Sequence, residues 1–173
     1  MTPSDDHSPG GTSADPVEAA LLTRAVALAL DNAEQGQLPF GALVVRDGTV
    51  LGTGVSTALR DHDPVAHAEV AAVRDACRRL GEVHLTGATV VSSCEPCAVC
   101  HAVSAAAGVI RIVYAAPKEY VPDLGYPAPP DRDDRMGRMQ QVLRSAAPGQ
   151  VVHVPTEGAD EPFHRYVAGM TQR

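Results

Sequence analysis

The sequence predicts a three-layer α/β/α domain built around a central mixed five-stranded sheet. Three observations predict it. Helical and strand-like segments alternate after an opening hairpin, an order that stacks helices on both faces of a sheet. The chain has 173 residues, 45% of them apolar and 20% charged, enough to bury the core of about one domain. Asp47-Gly48, a dipeptide suited to tight hairpins, separates two β-branched runs. Residues 1–15 are Ser-, Asp-, Gly- and Pro-rich with little to bury and read as a disordered tail, leaving 16–173 as the domain.

The elements follow in order. Asp15 caps a first helix with Pro16 in its first turn, and the run through Leu21, Leu22, Val26 and Leu30 stops near Gly36. Ala42–Arg46 and Thr49–Val55 are the hairpin strands. Asp63-Pro64 repeats the cap pattern and predicts a second helix reaching Leu80 before Gly81. Ala88–Ser92 is a strand, Pro96 opens a third helix that ends near Gly108, and Val109–Tyr114 and Val151–Val154 complete the sheet. Residues 116–130 carry five prolines and read as a long ordered loop, Asp131–Arg144 as a helix and Pro162–Met170 as a terminal helix.

Charge and cysteine usage exclude several function classes. Fourteen Lys+Arg against 21 Asp+Glu give −7, which repels phosphate backbones and disfavours broad nucleic-acid binding. No run is long and apolar enough to span a bilayer, and the N-terminus has no secretory pattern, so a cytoplasmic protein without membrane partners is expected. Cys94, Cys97 and Cys100 fall within seven residues, spacing suited to a metal or redox site rather than a disulfide framework.

The chemistry concentrates in His67-Ala68-Glu69 and Pro96-Cys97-Ala98-Val99-Cys100. One imidazole and two thiolates are three zinc ligands, which leave a fourth tetrahedral position open, as catalytic rather than structural sites do. Zinc acidifies water towards neutrality, and Glu69 beside His67 is then placed for proton transfer. Ideal helical periodicity turns positions i and i+2 about 200° apart, so the pair must converge at a helix start. Taken alone, the CxxC reads equally as a redox pair and the HxE as surface. Together they form the H-x-E…P-C-x-x-C pattern of zinc nucleobase deaminases. A zinc-stabilised interaction module, with four protein ligands, is the non-enzymatic rival. Cys77 and Cys94 read as packed thiols, His62 as a solvated loop histidine, and Arg132, Arg135, Arg138 and Arg144 as a solvated helix face or a phosphate contact.

Over residues 17–170 the chain resembles the cytidine deaminase-like superfamily, and within it the bacterial guanine and nucleoside deaminases. The resemblance is carried by Pro39-Phe40-Gly41-Ala42, Asp63-Pro64-Val65-Ala66-His67-Ala68-Glu69-Val70, Ser92-Ser93-Cys94-Glu95-Pro96-Cys97, Tyr114-Ala115-Ala116 and Pro162-Phe163. It implies a zinc-dependent aminohydrolase acting on a cyclic amidine C–N bond. One zinc per subunit would be held by His67, Cys97 and Cys100, with Glu69 shuttling protons. The implied substrate is a small amino-heterocycle, guanine or a guanine-like purine or nucleoside first; cytosine, an amino-triazine or a secondary-metabolite intermediate is the alternative. tRNA adenosine editing is disfavoured by the net charge and by Cys94 and Phe40, where those enzymes usually carry Leu and Val.

Substrate contacts transfer with departures. Thr57 (or Ser56) stands where the family commonly has Asn, and Glu119 or Tyr120 stands near an expected acidic residue. Ala106 replaces a large aromatic, and His101 replaces an apolar or small residue. Phe40 is a candidate stacking wall, Ala66 adjoins the metal motif, and Phe163 lies in the segment with which guanine deaminases cover a neighbouring subunit. A homodimer with an exchanged C-terminal segment is thus implied by the resemblance.

Overall fold

The computed structural model describes residues 15–125, 134–146 and 151–171. The tail expected at 1–15, except Asp15, lies outside these, as do Arg132 and the last part of the proline-rich stretch. The elements are α1 (Pro16–Glu34), β1 (Gly41–Arg46), β2 (Thr49–Val55), α2 (Ala58–Asp61), α3 (Ala68–Leu80), β3 (Thr89–Cys94), α4 (Ala98–Ala106), β4 (Arg111–Ala116), α5 (Arg135–Ala146), β5 (Val151–His153) and α6 (Glu161–Met170). A 3₁₀ turn at Lys118–Tyr120 follows β4.

The sheet order is β2-β1-β3-β4-β5. β1 runs antiparallel to β2 and β3, and β3, β4 and β5 run parallel, so the sheet is mixed. Alternation along the strands sends side chains to two cores. Leu43, Val45, Val91 and Val113 pack against Leu22 and Val26 of α1 and Phe163 of α6. Ala42, Val44, Val90 and Ile112 pack against Ala68, Ala72, Val73 and Ala76 of α3. That is the expected three-layer α/β/α arrangement. No helix among the described residues is long and apolar enough to cross a membrane.

Local chemistry explains the element ends. The Asp15 carboxylate accepts the Val17 N–H at 3.0 Å and Pro16 opens α1. Asp47 and Gly48 both take positive φ, 51° and 72°, as a tight hairpin turn requires. Gly52 and Gly54 of β2 lie against α3. A Cβ on Gly54 would overlap backbone atoms of Ala68 and Ala72, so only hydrogen at these positions lets the helix lie this close to the sheet.

Two helix starts differ from expectation. Asp63-Pro64 forms a turn, in which the Asp63 carboxylate accepts the Val65 N–H at 2.9 Å, and α3 begins only after an extended N-cap at His67 (φ −80°, ψ 158°). Likewise Pro96 precedes the helix; Cys97 is the extended N-cap of α4 (φ −80°, ψ 177°). β3 and β4 run to Cys94 and Ala116, two residues beyond their expected ends. The pairing Cys94↔Ala116 carries the parallel ladder up to the cysteine turn.

Candidate metal and catalytic site

Both misplaced starts bear on the site. His67 caps α3 in the extended conformation and Glu69 is the second helical residue, so the pair never meets the ~200° separation of an ideal helix. Cys97 at the cap and Cys100 in the first turn of α4 face it. The donor atoms form a nearly equilateral triangle. Cys97 Sγ lies 3.4 Å from His67 Nδ1, Cys100 Sγ lies 3.5 Å from it, and the two sulfurs are 3.6 Å apart.

Zinc–sulfur bonds of about 2.3 Å and zinc–nitrogen bonds of about 2.0–2.1 Å at tetrahedral angles give donor separations of roughly 3.5–3.8 Å. The triangle therefore fits zinc, and these three residues are the only metal-competent cluster among the described residues. Cys94, outside this cluster, is buried in the core beside Ala115 and Phe163. Burial pushes its thiol above its ordinary range, which suits a packed thiol.

Glu69 is 6% exposed. Its Oε1 accepts the Ser92 hydroxyl at 2.8 Å and its Oε2 accepts the Cys100 thiol at 3.1 Å. Burial raises its carboxyl above the usual range, against the lowering effect of these hydrogen bonds. The Cys97 thiol is drawn down to about 4, first by its hydrogen bond with Cys100 and also by His67. Cys100 moves the other way, through its contact with Cys97 and its burial. His67 is raised by its hydrogen bond to Cys97. One ready thiolate beside an imidazole is a donor set poised for a soft divalent metal, whose binding displaces the remaining thiol proton.

The triangle opens into a cavity of about 600 Å³ lined by Leu38, Phe40, Ser56, Ala58, Pro64, Val65, His67, Ala68, Glu69, Glu95, Cys97, Val99, Cys100 and Met136. Of the expected substrate contacts, Phe40 lines it. Thr57 does not; Ser56, its neighbour and the other candidate, does. Thr57 caps α2 and its N–H donates to the Ala66 carbonyl at 3.0 Å. Ala66 is buried and holds its position through that bond rather than by lining the cavity.

Glu119 and Tyr120 lie on the exposed 3₁₀ turn, Tyr120 55% exposed, away from the lining. One residue on a helix is a rotation of about 100°, and it turns His101 from the metal side to the back of α4. There, with Ser104, it borders a separate cavity of about 80 Å³. Phe163 sits behind the wall, 1% exposed, its ring edge-on to Phe40 at 5.9 Å. α6 packs on α1 of its own chain, joined at its rim by the Arg165–Glu34 ion pair at 3.0 Å.

Four contributors went unread in the sequence. Ser92 orients Glu69; a hydroxyl inside an apolar strand was its signal. Asn32, buried on the apolar face of α1, donates to the Leu38 and Ser56 carbonyls, both at 2.8 Å, and so ties two walls of the cavity together. Gln140 of α5 donates to Glu95 Oε1 and to the Pro96 carbonyl, both at 3.0 Å, fixing α5 to the cysteine turn. Met136 of α5 joins the lining; nothing in its surroundings in sequence signals this.

The profile described as cytidine and deoxycytidylate deaminase zinc-binding region matches residues 17–116, a span that includes all three ligands and Glu69. Guanine deaminase of Bacillus subtilis (strain 168) is 44% identical over 80 residues, covering 46% of this chain and 51% of that protein. The tRNA(Ile)-lysidine synthase of Deinococcus radiodurans is 41% identical over 107 residues, 61% of this chain and 18% of that one. The tRNA-specific adenosine deaminase of Aquifex aeolicus is 31% identical over 83 residues, 48% and 55%. The chain thus spans about half or less of the length of these relatives. The crystal structure of guanine deaminase from Bacillus subtilis superposes with a TM-score of 0.56 at 39% identity, covering 58% of this chain and 64% of that one. On the matched profile, the fold and the ligand triangle together, the chain belongs to the cytidine and deoxycytidylate deaminase zinc-binding family.

Proposed function

We propose that the protein is a zinc-dependent hydrolytic deaminase that releases ammonia from a small amino-heterocycle, guanine or a guanine-like purine first. The observation that carries the reading is the three-donor triangle of His67, Cys97 and Cys100 with the buried Glu69 carboxylate against it, at one cavity. Similarity to a guanine deaminase over 80 residues supports the choice of ring.

A zinc ion held by these ligands supplies Lewis-acid chemistry that makes water reactive at neutral pH. Glu69 handles the protons. It takes one from the attacking water and passes it to the ring nitrogen next to the amine-bearing carbon. It then carries the second water proton to the departing amine. The balance is ring N=C–NH₂ plus water giving ring HN–C=O plus ammonia.

Ser92 holds Oε1 in place through both transfers, and burial raises the Glu69 carboxyl above its ordinary range, which favours its taking up a proton. Phe40 supplies a flat apolar wall for the ring, and Ser56 a hydroxyl at the position where the family commonly has Asn. Assembly as a homodimer belongs to the same proposal and is read as twice 18.0 kDa by light scattering.

The test is ammonia release by zinc-loaded protein across guanine, guanosine, cytosine, cytidine, adenine, adenosine and amino-triazines. Guanine is expected to lead, and Glu69→Ala to keep zinc while losing turnover by ~10²–10⁴-fold. Undiminished turnover in Glu69→Ala, or no ammonia from any ring, overturns the reading.

A further inference from the structure

The smaller cavity, about 80 Å³ in volume, lies further along α4 than the metal donors. It is enclosed by the second half of that helix, the start of β4, Leu143 of α5 and Val151 of β5. His101 and Ser104, three residues apart, are neighbours on one face of α4, and both line it. They are 7% and 2% exposed. Among the described residues, His101 Nε2 and Ser104 Oγ are the buried side-chain polar atoms without a hydrogen-bond partner. Leaving such groups unmatched is costly, and folded proteins match nearly all of them.

Their chemistry limits what can match them. A neutral imidazole nitrogen either donates or accepts, according to its tautomer, and a hydroxyl does both. A carboxylate only accepts and an ammonium only donates. A primary amide carries a donor and an acceptor side by side, so it meets both groups whichever imidazole tautomer is present. Charge points the same way. Arg111 in the lining is already paired with Glu18, and Ser104 lies in the last turn of α4, where the carbonyl end of the helix repels an anion.

Size and the walls decide between an amide and water. An apolar cavity of about 150 Å³ takes benzene, so one of about 80 Å³ takes roughly three or four heavy atoms. Each water in such a space needs about two to four polar partners, yet Val109, Ile112, Leu143 and Val151 present aliphatic side chains to it. An amide turns its carbon to these walls and its polar end to the helix.

We infer that this cavity is a binding site for a small uncharged primary amide. Its N–H and C=O meet His101 Nε2 and Ser104 Oγ, and its alkyl end is seated against Ile112, Leu143 and Val151. The inference does not depend on which ring the metal site acts on.

The experiment titrates the full, zinc-loaded chain with acetamide and with acetate, which match in shape and differ in charge and in donors. Binding is followed through the imidazole nitrogen resonances of His101, and the occupant is located in crystals grown with acetamide. Acetamide is expected to give saturable shifts at His101 and to bind at least tenfold tighter than acetate. Ser104→Ala should weaken acetamide at least fivefold with zinc content unchanged.

Acetate that binds as tightly as acetamide, shifts that do not saturate, a Ser104→Ala protein that binds acetamide as the parent does, or crystals with ordered water alone at His101 and Ser104 would each overturn the inference. The comparison of acetamide with acetate uses the unaltered chain, so it decides the matter even where the variant does not fold.

Discussion

Replacing Gly54 with alanine tests whether the close approach of α3 to β2 sets the geometry of the metal site. A Cβ built on Gly54 overlaps the Ala68 carbonyl oxygen and the Ala72 nitrogen and falls 2.8 Å from Ala71 Cβ. Two of these three atoms are backbone, so no rotamer change relieves the overlap. Ordinary carbon contacts begin near ~3.5 Å, so helix and strand must part by on the order of 1 Å.

Overpacking of this kind costs about 1–3 kcal/mol, a fall in Tm of roughly 2–12 °C for a chain of this size. The displaced atoms belong to the first turns of α3, next to His67 and Glu69, and metal donors tolerate errors of only about ±0.2 Å. Zinc affinity should fall at least tenfold. Calorimetric melting and zinc competition against a chromophoric chelator read both effects. Gly169→Ala is the control, since its Cβ meets nothing within 4 Å; it should leave zinc affinity unchanged and should not lower the melting temperature, because alanine favours the helix over glycine. A Gly54→Ala protein that melts and binds zinc as the parent does would refute the reasoning.

Other outcomes follow from single contacts. Ser92→Ala removes the buried hydroxyl on Glu69 Oε1; a hydrogen bond to a charged group is worth ~1.5–3 kcal/mol, so kcat should fall roughly 10–100-fold with zinc content unchanged. Asn32→Ala leaves the Leu38 and Ser56 carbonyls without their donor and should cost about 1–3 kcal/mol in denaturant melts. At Asp75, burial raises the carboxyl, but the Arg79 guanidinium and the Thr53 N–H outweigh it and hold it below its ordinary value. A depressed folded value means that its stabilisation is full above the unfolded value and is lost as pH falls through the folded one. Asp75→Asn should therefore flatten the acid limb of stability against pH and matter little below it.

Much of the site was legible because its chemistry is local. The ligand spacing and the cap of α1 are short-range patterns, and Asp47-Gly48 encodes its own turn. The two helix starts were not, because Asp63-Pro64 and Pro96 carry good capping chemistry yet the chain stays extended through His67 and Cys97, and it is that extension which turns the donors towards one another. Ser56 rather than Thr57 lines the cavity through strand alternation at the end of β2, where a slip of one residue changes the face. His101 was misplaced for the helical equivalent of the same reason. Phe163 belongs to the core because α6 folds onto α1, a long-range contact that no local pattern announces.

The most direct test of the central claim is X-ray absorption at the zinc edge on the zinc-loaded protein, with metal content measured on the same sample. The account predicts one zinc per chain with two sulfurs near 2.3 Å and two nitrogen or oxygen donors near 2.0 Å, the second of the light donors exchangeable water. Three sulfurs, four protein donors, or protein that holds no zinc would contradict it.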